Sequence, residues 1–148
     1  MSMWQQIVVT LYAIVSLISF TQAFFEIKIK KNPFGITKHL TLLGIFVWGD
    51  AIVLGPFWFG VSTLILFLQD WNLFLLIVSL FWVVRSLGEV IYWIAEQFAD
   101  KHRNPPATLL FYPLLKTDAI WFMYQLFWQC VLVISLIASL YFARAWLQ

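Results

Sequence analysis

The sequence predicts an all-α integral membrane protein, a four-helix transmembrane bundle with short loops. Of its 148 residues, 63% are hydrophobic and 11% are charged, and the mean hydropathy is +0.88. A soluble domain has about 25% charged residues, so this chain lacks the polar surface that water requires. Its long apolar runs do not alternate with polar residues, which excludes the strands of a membrane barrel. We therefore predict a single transmembrane domain over residues 1–148.

The first two predicted helices cover residues 4–27 and 40–68. A cleaved signal peptide is not favoured for the first, because no basic segment precedes it. The second would be roughly 43 Å long at 1.5 Å per residue, well beyond a hydrocarbon core of about 30 Å. We therefore expect strong tilt or a bend. We expect the bend at Gly55 and Pro56, because Pro56 lacks the backbone N–H that would donate a hydrogen bond within the helix.

The other two predicted helices cover residues 72–98 and 118–143, and Asp118 is suited to cap the last one. Between them, residues 109–115 are apolar but too few to cross a bilayer. We interpret that segment as interfacial or as a shallow re-entrant stretch.

The basic residues predict the orientation. Seven of the nine lie in two connections, namely Lys28, Lys30, Lys31, Lys38, Lys101, Arg103 and Lys116. Positively charged loops stay cytoplasmic, so both termini are expected outside. We expect a bacterial cytoplasmic membrane, from the compact form and the absence of targeting and glycosylation signals. The net charge of +2 is explained by this topology and does not indicate a nucleic-acid partner.

Three charged residues interrupt the predicted spans: Asp50 in the second helix, and Arg85 and Glu89 in the third. A charge near the middle of a bilayer costs roughly 2.5–3.5 kcal/mol on insertion scales. Arg85 and Glu89 are four residues apart, so they share a helix face and can pair directly. We predict that Arg85 pairs with Glu89, with Asp50 or with both.

Glutamines of the first and fourth helices approach the same depth as these charges. Asp50 is ten residues into the second predicted helix, roughly 15 Å from its loop end, and Glu89 is roughly 14 Å from the end of the third. Gln125 and Gln129 lie roughly 11 and 17 Å from the loop end of the fourth predicted helix. The predicted intramembrane polar cluster is therefore Gln22, Asp50, Arg85, Glu89, Gln125 and Gln129.

Two interpretations of this cluster compete. Polar side chains fasten transmembrane helices to one another, which is a purely structural role. They also line paths for protons, ions or small polar solutes. Two carboxylates facing one guanidinium favour the second role, because the excess charge requires a bound proton, a cation or water.

No motif predicts a catalytic residue, a metal or a cofactor. Cys130 is the only cysteine, so no intrachain disulfide or dithiol pair can form. His39 and His102 lie in separate loops, and the common nucleotide-binding, hydrolase and zinc motifs are absent. An enzyme is therefore not favoured.

Three function classes remain. The first is a small transporter or channel, proton-coupled and acting on a small polar solute. The alternative is a non-catalytic accessory or assembly subunit of a membrane complex. A membrane-embedded lipid-modifying enzyme is the least favoured. Besides the lipid bilayer, we expect either a homo-oligomer or a larger membrane complex.

Overall fold

The computed structural model describes residues 1–100 and 102–148, and 80% of these residues are helical. Lys101, one of the predicted cytoplasmic basic residues, lies outside the described residues. The α-helices are α1 (Met3–Lys28), α2 (Trp48–Leu68), α3 (Trp71–Phe98), α4 (Tyr112–Leu115) and α5 (Ala119–Leu147). All of these except α4 are long and apolar enough to cross a membrane. In the described part of the chain no strand forms beyond one isolated β-bridge, between Ile36 and Val47.

The chain divides into two compact units, Met1–Leu75 and Leu76–Gln148, and the boundary falls inside α3. The first unit contains α1 and α2, and the second contains most of α3 together with α4 and α5. The organisation of the whole chain as a single transmembrane domain stays a prediction.

In the first unit, α1 and α2 pack antiparallel along a seam of mostly small side chains. The amino group of Met1 donates a hydrogen bond to the Gln69 carbonyl at 3.2 Å, so the start of α1 lies beside the end of α2. Small residues let two helix backbones approach closely, which is how helices associate in lipid. Their three- and four-residue spacing keeps them on one helix face. The buried seam residues are Val9, Ala13, Ser16, Ser19, Ala23, Ala51, Gly55, Trp58, Ser62 and Ile65.

At Gly55 the α2 backbone comes close to α1. A Cβ atom added to Gly55 would lie 2.8 Å from the Cβ of Phe20 and 3.0 Å from the carbonyl oxygen of Ser16. Real Cβ atoms essentially never make contacts as short as the first. The missing side chain of Gly55 therefore sets the packing distance at this point of the seam.

The start of the second helix requires a correction, because α2 begins at Trp48 and not at residue 40. Lys38–Leu43 instead form a 3₁₀ helix, and Gly44 ends it with a left-handed φ of 69°. With 21 residues, α2 is roughly 31 Å long, which matches a hydrocarbon core. The excess length that predicted a bend at Gly55 and Pro56 is therefore absent, and α2 runs without interruption through Pro56.

The segment Lys38–Ile45 folds back against α1 and α2. The side chains of Leu40, Leu43 and Ile45 in this segment are buried. The Leu43 carbonyl accepts a hydrogen bond from Nε1 of Trp58 at 3.0 Å. Trp58 is ten residues into α2, roughly 15 Å along its axis, so the segment reaches well down the helix pair. The neighbouring Leu42 carbonyl accepts a hydrogen bond from the Tyr12 hydroxyl at 3.3 Å.

In the second unit, aromatic side chains join α3 to α5. The rings of Trp93 and Tyr124 stack with centroids 4.6 Å apart, and those of Trp82 and Trp128 stack at 6.4 Å. Between Pro106 and Leu115 the chain forms a short 3₁₀ helix and then α4. Leu110 and Leu114 are 78% and 82% exposed there, and the interfacial or re-entrant position of residues 109–115 stays a prediction.

Candidate functional site

An open cavity of about 510 Å³ lies in the first unit, where the last turns of α1 face the connection to α2. Gln22 of the predicted polar cluster lines it. Gln22 is six residues before the end of α1, roughly 9 Å along the helix. The lining residues are Thr21, Gln22, Phe25, Glu26, Lys30, His39 and Trp48.

An ion pair lies on the wall of this cavity. Nζ of Lys30 is 2.6 Å from Oε1 of Glu26, one helical turn away. The Glu26 side chain is 17% exposed and that of Lys30 is 55% exposed, so the carboxylate is recessed and the ammonium is near the opening. The same Nζ lies 5.5 Å from the ring centroid of Phe25. Lys30 therefore places its ammonium between a carboxylate and an aromatic ring.

Asp50 stabilises the N-terminal end of α2 through hydrogen bonds to the backbone just before the helix. Its Oδ2 accepts hydrogen bonds from the backbone N–H groups of Phe46 at 2.9 Å and Val47 at 3.3 Å. A carboxylate near a helix N-terminus is favourable, because the first N–H groups lack partners within the helix. The prediction that Asp50 lies ten residues into its helix is wrong, since it is in the first turn. Trp48, two residues earlier, is a wall of the cavity.

Arg85 and Glu89 approach each other on α3. Nη2 of Arg85 is 3.5 Å from Oε1 of Glu89, and the side chains are 25% and 15% exposed. They are therefore only partly buried within the chain. Both residues belong to the second unit and Asp50 to the first, so the predicted pairing of Arg85 with Asp50 stays a prediction.

The glutamines of α5 have different environments. Gln125 accepts a hydrogen bond from Nε2 of Gln97 at 2.7 Å, which ties α5 to α3. Gln129 is partly exposed. These two glutamines lie in the second unit and Gln22 in the first. Convergence of the six-residue polar cluster in one membrane layer stays a prediction.

Sequence reasoning missed Glu96, which is only 4% exposed near the end of α3. Its Oε1 accepts the backbone N–H of Asn104 at 2.7 Å, and its carbonyl oxygen lies 3.0 Å from Nδ1 of His102. The Asn104 carbonyl in turn accepts a hydrogen bond from Nε1 of Trp121 at 3.0 Å. These bonds fold the connection after α3 back onto α3 and α5. No periodicity signals this role, because the burial comes from a loop.

No family model, curated protein or solved structure matches this chain. Among residues 1–100 and 102–148, no group of three or more His, Cys, Asp or Glu side chains could hold a metal ion.

The cavity of the first unit combines the groups that a small polar ligand requires. Glu26 offers a recessed carboxylate, and Phe25 and Trp48 offer aromatic rings. Gln22 and His39 add side chains with N–H groups that can donate hydrogen bonds. Such a set can hold a charged group and orient it.

Proposed function

We propose that this chain is an integral membrane transporter or channel for a small polar solute, and that the solute enters through the cavity of the first unit. The observation that supports this most is the cavity itself. Its volume of about 510 Å³ falls in the roughly 300–1,000 Å³ range of small-molecule sites. Gln22 and Glu26 line the cavity from α1, which is long and apolar enough to cross a membrane. Polar and charged side chains on such a helix mark solute paths.

Proton coupling through Asp50 is part of the proposal. The Asp50 carboxylate fixes the backbone of Phe46 and Val47, directly before the cavity residue Trp48. Hydrogen bonds to an ionised carboxylate are roughly twice as strong as neutral ones. A proton on Asp50 would therefore weaken the start of α2 and loosen one wall of the cavity.

The substitution Asp50→Asn tests this coupling. The neutral amide oxygen can still accept both N–H bonds, but more weakly than the carboxylate, so we expect a melting temperature below that of the wild type and above that of Asp50→Ala. Solute flux driven by a pH gradient in reconstituted vesicles should be lost, because an asparagine side chain cannot take up a proton. Asp50→Ala is the control for the structural role. It removes both hydrogen bonds and should destabilise the protein by about 1–3 kcal/mol. Unchanged gradient-driven flux in Asp50→Asn would refute the coupling.

A second function, that of an accessory or assembly subunit, is supported by the exposure of α5. In its most apolar stretch only 11% of the residues are buried within the chain, against 28% in each of α1, α2 and α3. Such a surface suits packing against a partner helix as well as lipid. Wild-type vesicles that carry neither protons nor any tested solute would favour this second function over transport.

A further inference from the structure

We propose that the cavity of the first unit binds a small zwitterion through its ammonium group, at the position that the Lys30 ammonium fills. Such a zwitterion would be the solute of the proposed transport function, on which this inference rests.

The contacts of the Lys30 ammonium indicate which ligand group the cavity can bind. Its Nζ lies 2.6 Å from Oε1 of Glu26 and 5.5 Å from the centroid of the Phe25 ring. A carboxylate and an aromatic face together are the groups that recognise ammonium ligands. A second aromatic side chain, Trp48, lines the same cavity. The ammonium of a ligand would meet the same surroundings.

Lys30 is also easy to displace. Its side chain is 55% exposed, and it lies in the turn just after α1, where it pairs with a residue four positions earlier in the chain. Exposed ion pairs of this kind contribute little, because both partners remain partly solvated. When a ligand takes its place, the Lys30 ammonium can move to water. Glu26, at 17% exposure, stays recessed to receive the ligand.

The surrounding charge favours a zwitterion over a simple cation. From Glu26 to Asp50 the chain has two carboxylates, those of Glu26 and Asp50, against four lysines, which are Lys30 and the three further lysines Lys28, Lys31 and Lys38. A surface of one sign repels ligands of that sign, and an anionic group on the ligand removes this repulsion. Gln22 and His39 line the cavity and have N–H groups for that anion.

The decisive test uses two substitutions with opposite expected effects. In the detergent-purified full chain, we would measure phosphoethanolamine affinity by titration calorimetry. Lys30→Met removes the competing ammonium and should tighten binding several-fold. Glu26→Gln removes the carboxylate and should weaken binding by about tenfold or more. Lys28→Met is the matched control, because Lys28 lies 4.9 Å from the Phe24 ring and does not line the cavity.

A wild-type comparison does not depend on the folding of any variant. N-acetylated phosphoethanolamine lacks the ammonium and should bind at least about tenfold more weakly than phosphoethanolamine. Equal binding of the two compounds would overturn the proposal. So would a Lys30→Met protein that binds no more tightly than Lys28→Met.

The ligand can be a free solute or the headgroup of a zwitterionic lipid, and two experiments distinguish these possibilities. Binding of free phosphoethanolamine in detergent identifies a soluble ligand. If it does not bind, native mass spectrometry should show phosphatidylethanolamine retained over phosphatidylglycerol, with the retention lost in Glu26→Gln. Failure of both experiments refutes the inferred ligand. If the protein then carries another solute along a pH gradient, the transport proposal is retained without this ligand. If the zwitterion binds but no solute is carried, the transport proposal is refuted and the binding site is retained.

Discussion

At the residue scale, the absence of a single side chain decides how closely α1 and α2 pack. Gly55 is in contact with Phe20 and Ser16, whereas a Cβ added to Gly60 on the same helix would meet nothing within 4 Å. The two glycines therefore form a matched pair. One is required by packing, and the other only lowers the helix propensity of α2.

We expect Gly55→Ala to destabilise the first unit by about 1–3 kcal/mol, because the new methyl group overpacks the seam. Gly60→Ala should be neutral or stabilise α2 by up to about 1 kcal/mol, since alanine is the better helix former. Thermal unfolding in detergent, followed by circular dichroism, measures both. Similar effects of the two substitutions would mean that the α1–α2 contact at Gly55 is not tight.

Charged residues show how far the sequence predicts a site. Arg85 and Glu89 stand out because they interrupt an apolar run, and their four-residue spacing predicts the 3.5 Å approach. Glu96 does not stand out, because it lies near a helix end where charges are common. Its burial depends on the backbone of Asn104, eight residues later, and a loop conformation cannot be deduced from composition.

At the element scale, the apolar run before α2 predicts a longer helix than the chain forms. Residues 40–47 are as hydrophobic as the helix that follows, and a short apolar run does not distinguish helix from buried loop. The signal for the break is Gly44, whose left-handed conformation favours glycine. The backbone of Lys38–Ile45 is tied to the helix pair, because Tyr12 donates a hydrogen bond to the Leu42 carbonyl and Trp58 donates one to the Leu43 carbonyl.

The indole of Trp58 should therefore matter more than its size alone. Trp58→Phe leaves the Leu43 carbonyl without its donor, so we expect a loss of about 1–3 kcal/mol, together with faster proteolysis within Lys38–Ile45. Trp4→Phe is the control, because Trp4 is 57% exposed and its replacement should change stability by less than about 0.5 kcal/mol. Resistance of the Trp58→Phe loop to protease at wild-type levels would contradict the role of this hydrogen bond.

At the scale of the whole molecule, composition predicts the class but not the arrangement. A chain that is 63% hydrophobic cannot cover itself with a solvated surface, and the part of it that the structure describes has four helices long and apolar enough to span a bilayer. Depth along each helix depends on where the helix begins. The eight-residue shift at the start of α2 therefore moved Asp50 from the predicted membrane layer to a helix end.

The orientation predicted from the basic residues can be tested with the chain's own single cysteine removed. In a Cys130→Ser background, cysteines introduced at Lys31 and Arg103 should resist an impermeant maleimide added to intact cells, because positively charged connections stay cytoplasmic. A cysteine at Gln148, on the predicted outer side, should react and serves as the positive control. Permeabilising the cells should then expose Lys31→Cys and Arg103→Cys, which shows that both sites are reactive. Labelling at these two positions in intact cells, with none at Gln148→Cys, would reverse the orientation and place the opening of the cavity on the outer face.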